Sequence, residues 1–160
     1  MEIEEMLAEN TSAVVAETTE SAPAVGMSQE GVEPRASLIM GAGQGLFATR
    51  AFQEGELVCE YTGRIYANKD AWQLADKSYL MKLGNGKYVD ARECPHVMAR
   101  FINDCRSRGT HNVVFDKRPQ DNLARVVALR DISPDEELYV DYGRFYWLGY
   151  NLLHPENPIR

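Results

Sequence analysis

Two stretches set groups able to do chemistry among residues that should be buried. Ala99-Arg100-Phe101-Ile102-Asn103-Asp104 places Arg, Asn and Asp beside Phe and Ile, directly after the apolar Val97 and Met98. A buried polar group left without a partner costs roughly 1–3 kcal/mol, so these groups should serve a pocket or a tight internal network. The second stretch, Glu136-Glu137-Leu138-Tyr139-Val140-Asp141-Tyr142, ends on a tyrosine followed by Gly143. A tyrosine at a strand end can carry its hydroxyl into a site held by a rigid scaffold. Taken one at a time, the plainer readings are a core helix and an ordinary strand.

A third candidate is Gly41-Ala42-Gly43-Gln44-Gly45. Glycines at this density let the backbone turn tightly or approach a ligand closely. A phosphate-binding loop needs a strand before it, a helix after it and a Gly-Lys-Ser/Thr ending. Here Leu46-Phe47-Ala48 continues as strand and that ending is missing, which argues against a nucleoside triphosphate site. A tight β-turn and a turn bordering a small-molecule site remain. Cys59, Cys94 and Cys105 fit no zinc spacing and read as small buried hydrophobes in a reducing compartment.

The elements that must position these groups are short. Leu57–Tyr66 reads as strand interrupted at Thr62-Gly63, and Ser78–Asp90 as a β-hairpin turning at Gly84-Asn85-Gly86. Asn112–Asp116 and Leu123–Leu129 are strands joined by a polar turn. Helices are expected at Asn68–Asp76, capped by Asn68, and at Glu93–Asn103, with Pro95 in its first turn. One phrase occurs twice: Arg50 to Tyr61 and Arg130 to Tyr142 both run basic residue, apolar residue, acidic turn, Glu-Leu strand, acid-Tyr. Two such units are too few for a repeat array. The tally is a mostly β fold (α+β with a minor helical part), and it excludes a dinucleotide-binding fold of alternating helices and strands.

The chain of 160 residues is long enough for one domain. Its net charge of −7 is uneven: residues 1–33 carry eight Glu and no Lys or Arg, which leaves the remainder at net +1. Residues 1–33 read as a disordered acidic tail, with order beginning near Pro34. No basic block points to direct nucleic-acid binding, and no apolar run approaches the ~18 residues of a membrane helix. The acidic start is unlike a secretory or mitochondrial signal, leaving cytoplasm or nucleus.

In this order the pieces resemble the SET-domain family of protein lysine methyltransferases. Gly43-Gln44-Gly45-Leu46-Phe47 is similar to the family's cofactor loop, and Ser78-Tyr79-Leu80 to its strand bearing a channel tyrosine. Arg100-Phe101-Ile102-Asn103 matches the arginine-phenylalanine-isoleucine-asparagine segment, and Glu137 to Tyr142 the closing Glu-Leu-X-X-Asp-Tyr motif. The resemblance covers about residues 36–147. It implies several small sheets around a knot-like crossing, a SET domain over 34–147 and a C-terminal tail over 148–160.

The resemblance also implies an activity: methyl transfer from S-adenosylmethionine to a lysine ε-amine, with a histone as the first-guess substrate. Tyr142 would be the catalytic tyrosine. Gly43, Gln44, Gly45, Arg100, Phe101, Asn103 and Asp104 would form the cofactor site, with Trp147, or Phe145 beside it, covering the adenine. Tyr79, Phe115 and Val140 would line the lysine channel, and no metal is implied. Tyr61 reads as structural. Asp104 stands where the family usually has His, and His111-Asn112 stands where a second asparagine follows Pro, as if Arg106–Thr110 held a short insertion. The zinc-binding cysteine tail of many relatives is absent. A non-catalytic SET-like peptide-binding module is the alternative reading, and both monomer and homodimer stay open.

Overall fold

The computed structural model describes residues 29–105 and 110–143, with Leu152 and Pro155 beyond them. Ten strands fall into four small sheets among these residues. β1 (Val32–Ala36) and β2 (Gln44–Ala48) form an antiparallel ribbon around the glycine loop. β3 (Leu57–Tyr61), β9 (Leu123–Ala128) and β8 (Val113–Arg118) form a sheet with β9 central. β4 (Arg64–Ala67), β6 (Lys87–Asp90) and β5 (Leu80–Gly84) form another. β7 (Asn103–Asp104) and β10 (Tyr139–Val140) pair in parallel, bringing the two chemistry-bearing stretches side by side.

The strands form where alternation demands it. In β9 every second residue, Ala124, Val126 and Ala128, is buried, as a period-2 strand packed on one face requires. Leu46, Phe52, Val97, Ile102, Ile132 and Leu138 fill the centre between the sheets. Cys59 joins this core, whereas Cys94 and Cys105 are only half-buried. None of the helices among the described residues is long and apolar enough to cross a membrane.

The helical expectations need correction. Glu93–Asn103 is not an α-helix: turns lead into a four-residue 3-10 turn, η1 (Met98–Phe101), and the backbone is extended at Ile102. Asn103 and Asp104 must present ladder groups to β10, which a helix cannot do. Arg100 holds the turn instead, donating from Nη1 to the carbonyls of Ala91 (3.1 Å) and Arg92 (3.2 Å). The other helix, α1, spans only Asn68–Gln73. Asn68 does not cap it; its side-chain oxygen accepts from Trp72 Nε1 at 3.2 Å. β1 begins at Val32, ahead of Pro34, and Gln29 already accepts the Met98 N–H at 2.9 Å. Residues 1–28 of the expected tail lie outside the described residues.

Candidate active site

The site is built on the parallel β7–β10 pair. Tyr142 is held from the β7 side at both ends. Its backbone N–H donates to Asp104 Oδ2 at 2.8 Å, and its hydroxyl donates to the Ile102 carbonyl. A phenol that has given its proton to a carbonyl keeps only acceptor capacity on its oxygen. Asp104 is nearly fully buried, so the residue that departs from the family pattern acts through its carboxylate on the Tyr142 backbone.

On one side of this pair lies the glycine loop. Asn103 Nδ2 donates to the Gln44 carbonyl at 2.9 Å, and the Ser37 N–H closes the loop on the Gly43 carbonyl at 2.9 Å. Gly43 has φ +73° with open space where a Cβ would stand. Gly45 is required for a different reason: a Cβ there would sit 2.0 Å from Glu137 Oε1. Glu137 is 2% exposed and braces the loop, accepting from Ser37 Oγ (2.7 Å), the Leu38 N–H (2.8 Å) and the Tyr139 hydroxyl (2.7 Å). Burial first, and the Glu137 carboxylate second, push the Tyr139 phenol well above its ordinary range. Leu38 and Met40 stand exposed beside the loop, and Phe101 is half-buried.

On the other side lies a cavity of about 610 Å³. Tyr79, Phe115, Val140 and Tyr142 all line it, together with Arg100 and Tyr61. Tyr79 sits in the turn preceding β5 rather than on the strand. Its ring carries the Arg100 guanidinium at 4.1 Å from the centroid, and its carbonyl accepts the Tyr61 hydroxyl at 2.6 Å. Tyr61 also meets Phe115 edge-on at 5.9 Å. Burial, with the Tyr142 phenol next in size, pushes the Tyr61 hydroxyl well above its ordinary range, so it stays a donor.

The expected site residues thus separate into two groups joined at β7–β10. Gly43, Gln44, Gly45 and Asn103 stand on the loop side, away from the cavity lining, and Phe101, outside the lining as well, has the Arg100 guanidinium 5.5 Å from its ring centroid. Tyr79, Phe115, Val140 and Tyr142 meet in the cavity, and Arg100 belongs to its wall rather than to the loop. Asp104 is the join. Trp147 and Phe145 lie outside the described residues.

Four residues outside the expected site set contribute to it. Tyr61 is in the cavity wall, and His111, named in the sequence only beside the displaced Asn112, lines it too. Glu137 was read only as part of a motif. Asn112 is fully buried and ties the returning chain down: its Oδ1 accepts the Tyr139 N–H (2.8 Å) and its Nδ2 donates to the Glu137 carbonyl (2.9 Å). Polar residues in otherwise apolar runs were the available signal for both Asn112 and Glu137. No group of His, Cys, Asp or Glu able to hold a metal occurs among the described residues.

This fold and site define a SET domain. The SET domain family model matches residues 43–143, and the chain belongs to that family. The N-lysine methyltransferase KMT5A-A of Xenopus laevis is 33% identical over 127 residues, which is 72% of this chain and 37% of the relative. The histone-lysine N-methyltransferase Set8 of Drosophila pseudoobscura pseudoobscura is 35% identical over 117 residues, 65% of this chain and 16% of the relative. This chain therefore spans about a third of the first relative's length and less of the second's. Among solved structures, an active polycomb repressive complex 2 in the basal state matches with TM-score 0.58 at 28% identity, over 71% of this chain and 15% of the matched one. The structure of ctPRC2 in an autoinhibited conformation bound to S-adenosylmethionine matches with TM-score 0.57 at 26% identity, over 79% of this chain and 17% of the matched one.

Proposed function

We propose that this chain is an S-adenosylmethionine-dependent protein lysine N-methyltransferase. The observation that carries the reading is the placement of Tyr142. It faces a cavity walled by Tyr79, Phe115 and Val140, and the segment that fixes it also carries Asn103, bonded to the glycine loop.

The loop side fits the cofactor. An open left-handed Gly43, the peptide edge at Gln44 and the exposed apolar Leu38 and Met40 offer polar and apolar groups together, as a nucleoside bearing an amino-acid tail needs. Gly43, Gln44, Phe101 and Asn103 would hold it. Gly45 would contribute by letting Glu137 brace the loop. When bound, the cofactor supplies an electrophilic methyl group on a sulfonium.

The chain's own residues would prepare the amine. A free lysine has a pKa near ~10.4, and the reactive form is neutral. The aromatic wall of Tyr61, Tyr79 and Phe115 removes water from the ammonium and so disfavours charge. The Tyr142 oxygen, its proton committed to Ile102, accepts an amine N–H and turns the nitrogen lone pair toward the loop. Orientation then supplies much of the rate. Val140 and Phe115 bound the space that limits how many methyl groups the nitrogen can carry.

A histone is the substrate named for Set8, and it is the first protein to try; nuclear residence follows from it. The test is transfer of radiolabelled methyl from S-adenosylmethionine to core histones and to a whole-cell extract, with Tyr142→Phe alongside. Label that falls at least ~10-fold in the variant supports the enzyme. A folded protein that binds the cofactor and labels nothing would move the reading to a peptide-binding module.

A further inference from the structure

Resting on that reading, we infer that the cavity selects lysines flanked by acidic residues. The charged groups lining it are Lys82, Arg100 and Lys117, with Asp141 the one carboxylate among the described lining residues. Arg100 is engaged by two backbone carbonyls and the Tyr79 ring. Asp141 is partly satisfied by the Gly143 N–H at 2.8 Å.

Lys82 and Lys117 are different. Lys82 is on β5 and Lys117 on β8, two strands of separate sheets that meet at the cavity. Both side chains are exposed, and neither makes a hydrogen bond or ion pair among the described residues. Nearby Lys87 shows what a structurally employed lysine looks like here: its Nζ donates to the Pro119 carbonyl (3.1 Å) and to Asn122 Oδ1 (2.8 Å). Burial of its stem, and then the Lys82 charge, push the Lys117 ammonium below its ordinary value, so each lysine stands within the other's field.

Strand geometry ties the pair to the channel. Side chains two apart share a face and stand about 7 Å from each other. Lys117 therefore follows Phe115 along one face of β8, while Asp116 between them turns to the opposite face and pairs with Arg118 at 2.8 Å. Lys82 follows Leu80 in the same way on β5. A carboxylate within about three residues of the methylated lysine can reach either ammonium. The half-exposed apolar Val114 and Leu129 on the same lining suit a peptide that alternates acidic and apolar side chains. The two ammoniums also repel an incoming lysine in its charged form, which favours the neutral amine.

The experiment measures kcat/KM of the whole chain for peptides of one length. Each carries a single lysine flanked by Glu, Gln or Lys and is assayed at low and at physiological salt. The expected result is a preference for Glu over Lys flanks of about tenfold, falling with salt. Lys82→Glu/Lys117→Glu should reverse the order, and Lys117→Gln alone should reduce it; binding of S-adenosylmethionine reports whether each variant is folded. Transfer that is indifferent to the flanks, or that favours Lys flanks as in basic histone tails, overturns the inference and leaves the enzyme standing. Transfer to no peptide by protein that binds the cofactor overturns the enzyme reading and this inference with it. Equal competition by short duplex DNA would assign the lysines to phosphate and overturn the inference alone.

Discussion

The phrase that occurs twice builds the same turn twice. In the first unit Arg50 pairs with Glu56 at 2.9 Å, and the other oxygen of Glu56 accepts the Gln53 N–H at 2.9 Å. In the second, Arg130 pairs with Glu136, whose other oxygen accepts the Ser133 N–H at 3.0 Å. Each turn passes through a left-handed residue, Gly55 in one and Asp135 in the other. Phe52 and Ile132, both buried, exchange backbone hydrogen bonds of 2.9 and 2.8 Å and join the two units. Each unit ends on a tyrosine whose hydroxyl donates to a backbone carbonyl, Tyr61 to Tyr79 and Tyr142 to Ile102.

They differ by one residue and by what receives them. The second unit has an extra position between its turn and its tyrosine, and Glu137 occupies the added length. The first unit continues into β3, a five-residue strand laddered to β9. The second continues into β10, two residues beside β7, and the N–H groups of Tyr139 and Tyr142 are met by the side chains of Asn112 and Asp104. A longer ladder, shifted in register only between Leu57 and Cys59, carries Tyr61 into the cavity wall. A broken ladder held by buried side chains makes the place where a phenol, a loop and a cavity converge. That convergence is what a positioned reaction requires.

The two units should differ most at their tyrosines. Tyr142→Phe should cost roughly 100-fold in methyl transfer, whereas Tyr61→Phe should cost only a few-fold. Tyr142→Phe should also destabilise the fold by about 1 kcal/mol by taking the hydroxyl donor from the Ile102 carbonyl, and Tyr61→Phe by less, because the Tyr79 carbonyl keeps the Ala91 N–H at 3.2 Å. Rates and urea midpoints measured side by side test this, and equal rate losses would remove the distinction between the units.

The glutamates come next. Glu137→Ala removes the acceptor for three donors and should lower stability by about 2–4 kcal/mol while weakening cofactor binding through the loop. Glu56→Ala, at a solvent-exposed pair, should hardly move the unfolding midpoint. Matching shifts in the two variants would show that Glu137 is not the brace described.

Asp104 has no counterpart in the first unit, because Tyr61 pairs directly with Ala124 in the ladder. Asp104→Ala should lower kcat about tenfold with KM for cofactor little changed, and Asp104→Asn should recover most of it through its amide oxygen. Loss of cofactor affinity with unchanged kcat would place Asp104 on the loop side instead.

The smallest effect is the pH response of the turns. The backbone N–H of Gln53 and then Arg50 hold Glu56 below its ordinary 4.5. For Glu136, burial acts in the opposite direction, and Arg130 with the Ser133 N–H outweighs it. A carboxylate depressed in the folded state stabilises the fold above its unfolded pKa and loses that contribution as pH falls through the folded value. Stability should therefore drop below about pH 4.5, less steeply in Glu56→Gln and Glu136→Gln, as denaturation midpoints between about pH 3 and 6 would reveal. Parallel curves for wild type and both variants would discount the carboxylates.

Much of this site was legible in the chain because it is local. The glycine turn, the hairpin at Gly84-Asn85-Gly86 and the repeated turn follow from φ preferences and from apolar alternation within a few residues. Glu93–Asn103 misled for the opposite reason. Its composition suits a helix, and only the demand of a distant strand for Asn103 and Asp104 opens it. The roles of Arg100, Tyr61 and Asn112 were invisible for the same cause, since each is defined by a partner brought from elsewhere in the chain.

The sequence by itself determined the short strands, their turns and the four family motifs, since these depend on residues near one another along the chain. Only the tertiary structure decided that Asp104 would hold Tyr142, that Glu137 would exclude any side chain from Gly45, and that Lys82 and Lys117 would share a cavity. Those contacts join residues tens to a hundred positions apart. Their energies depend on which buried groups the threading of β10 beside β7 leaves to be satisfied, and no local preference encodes that.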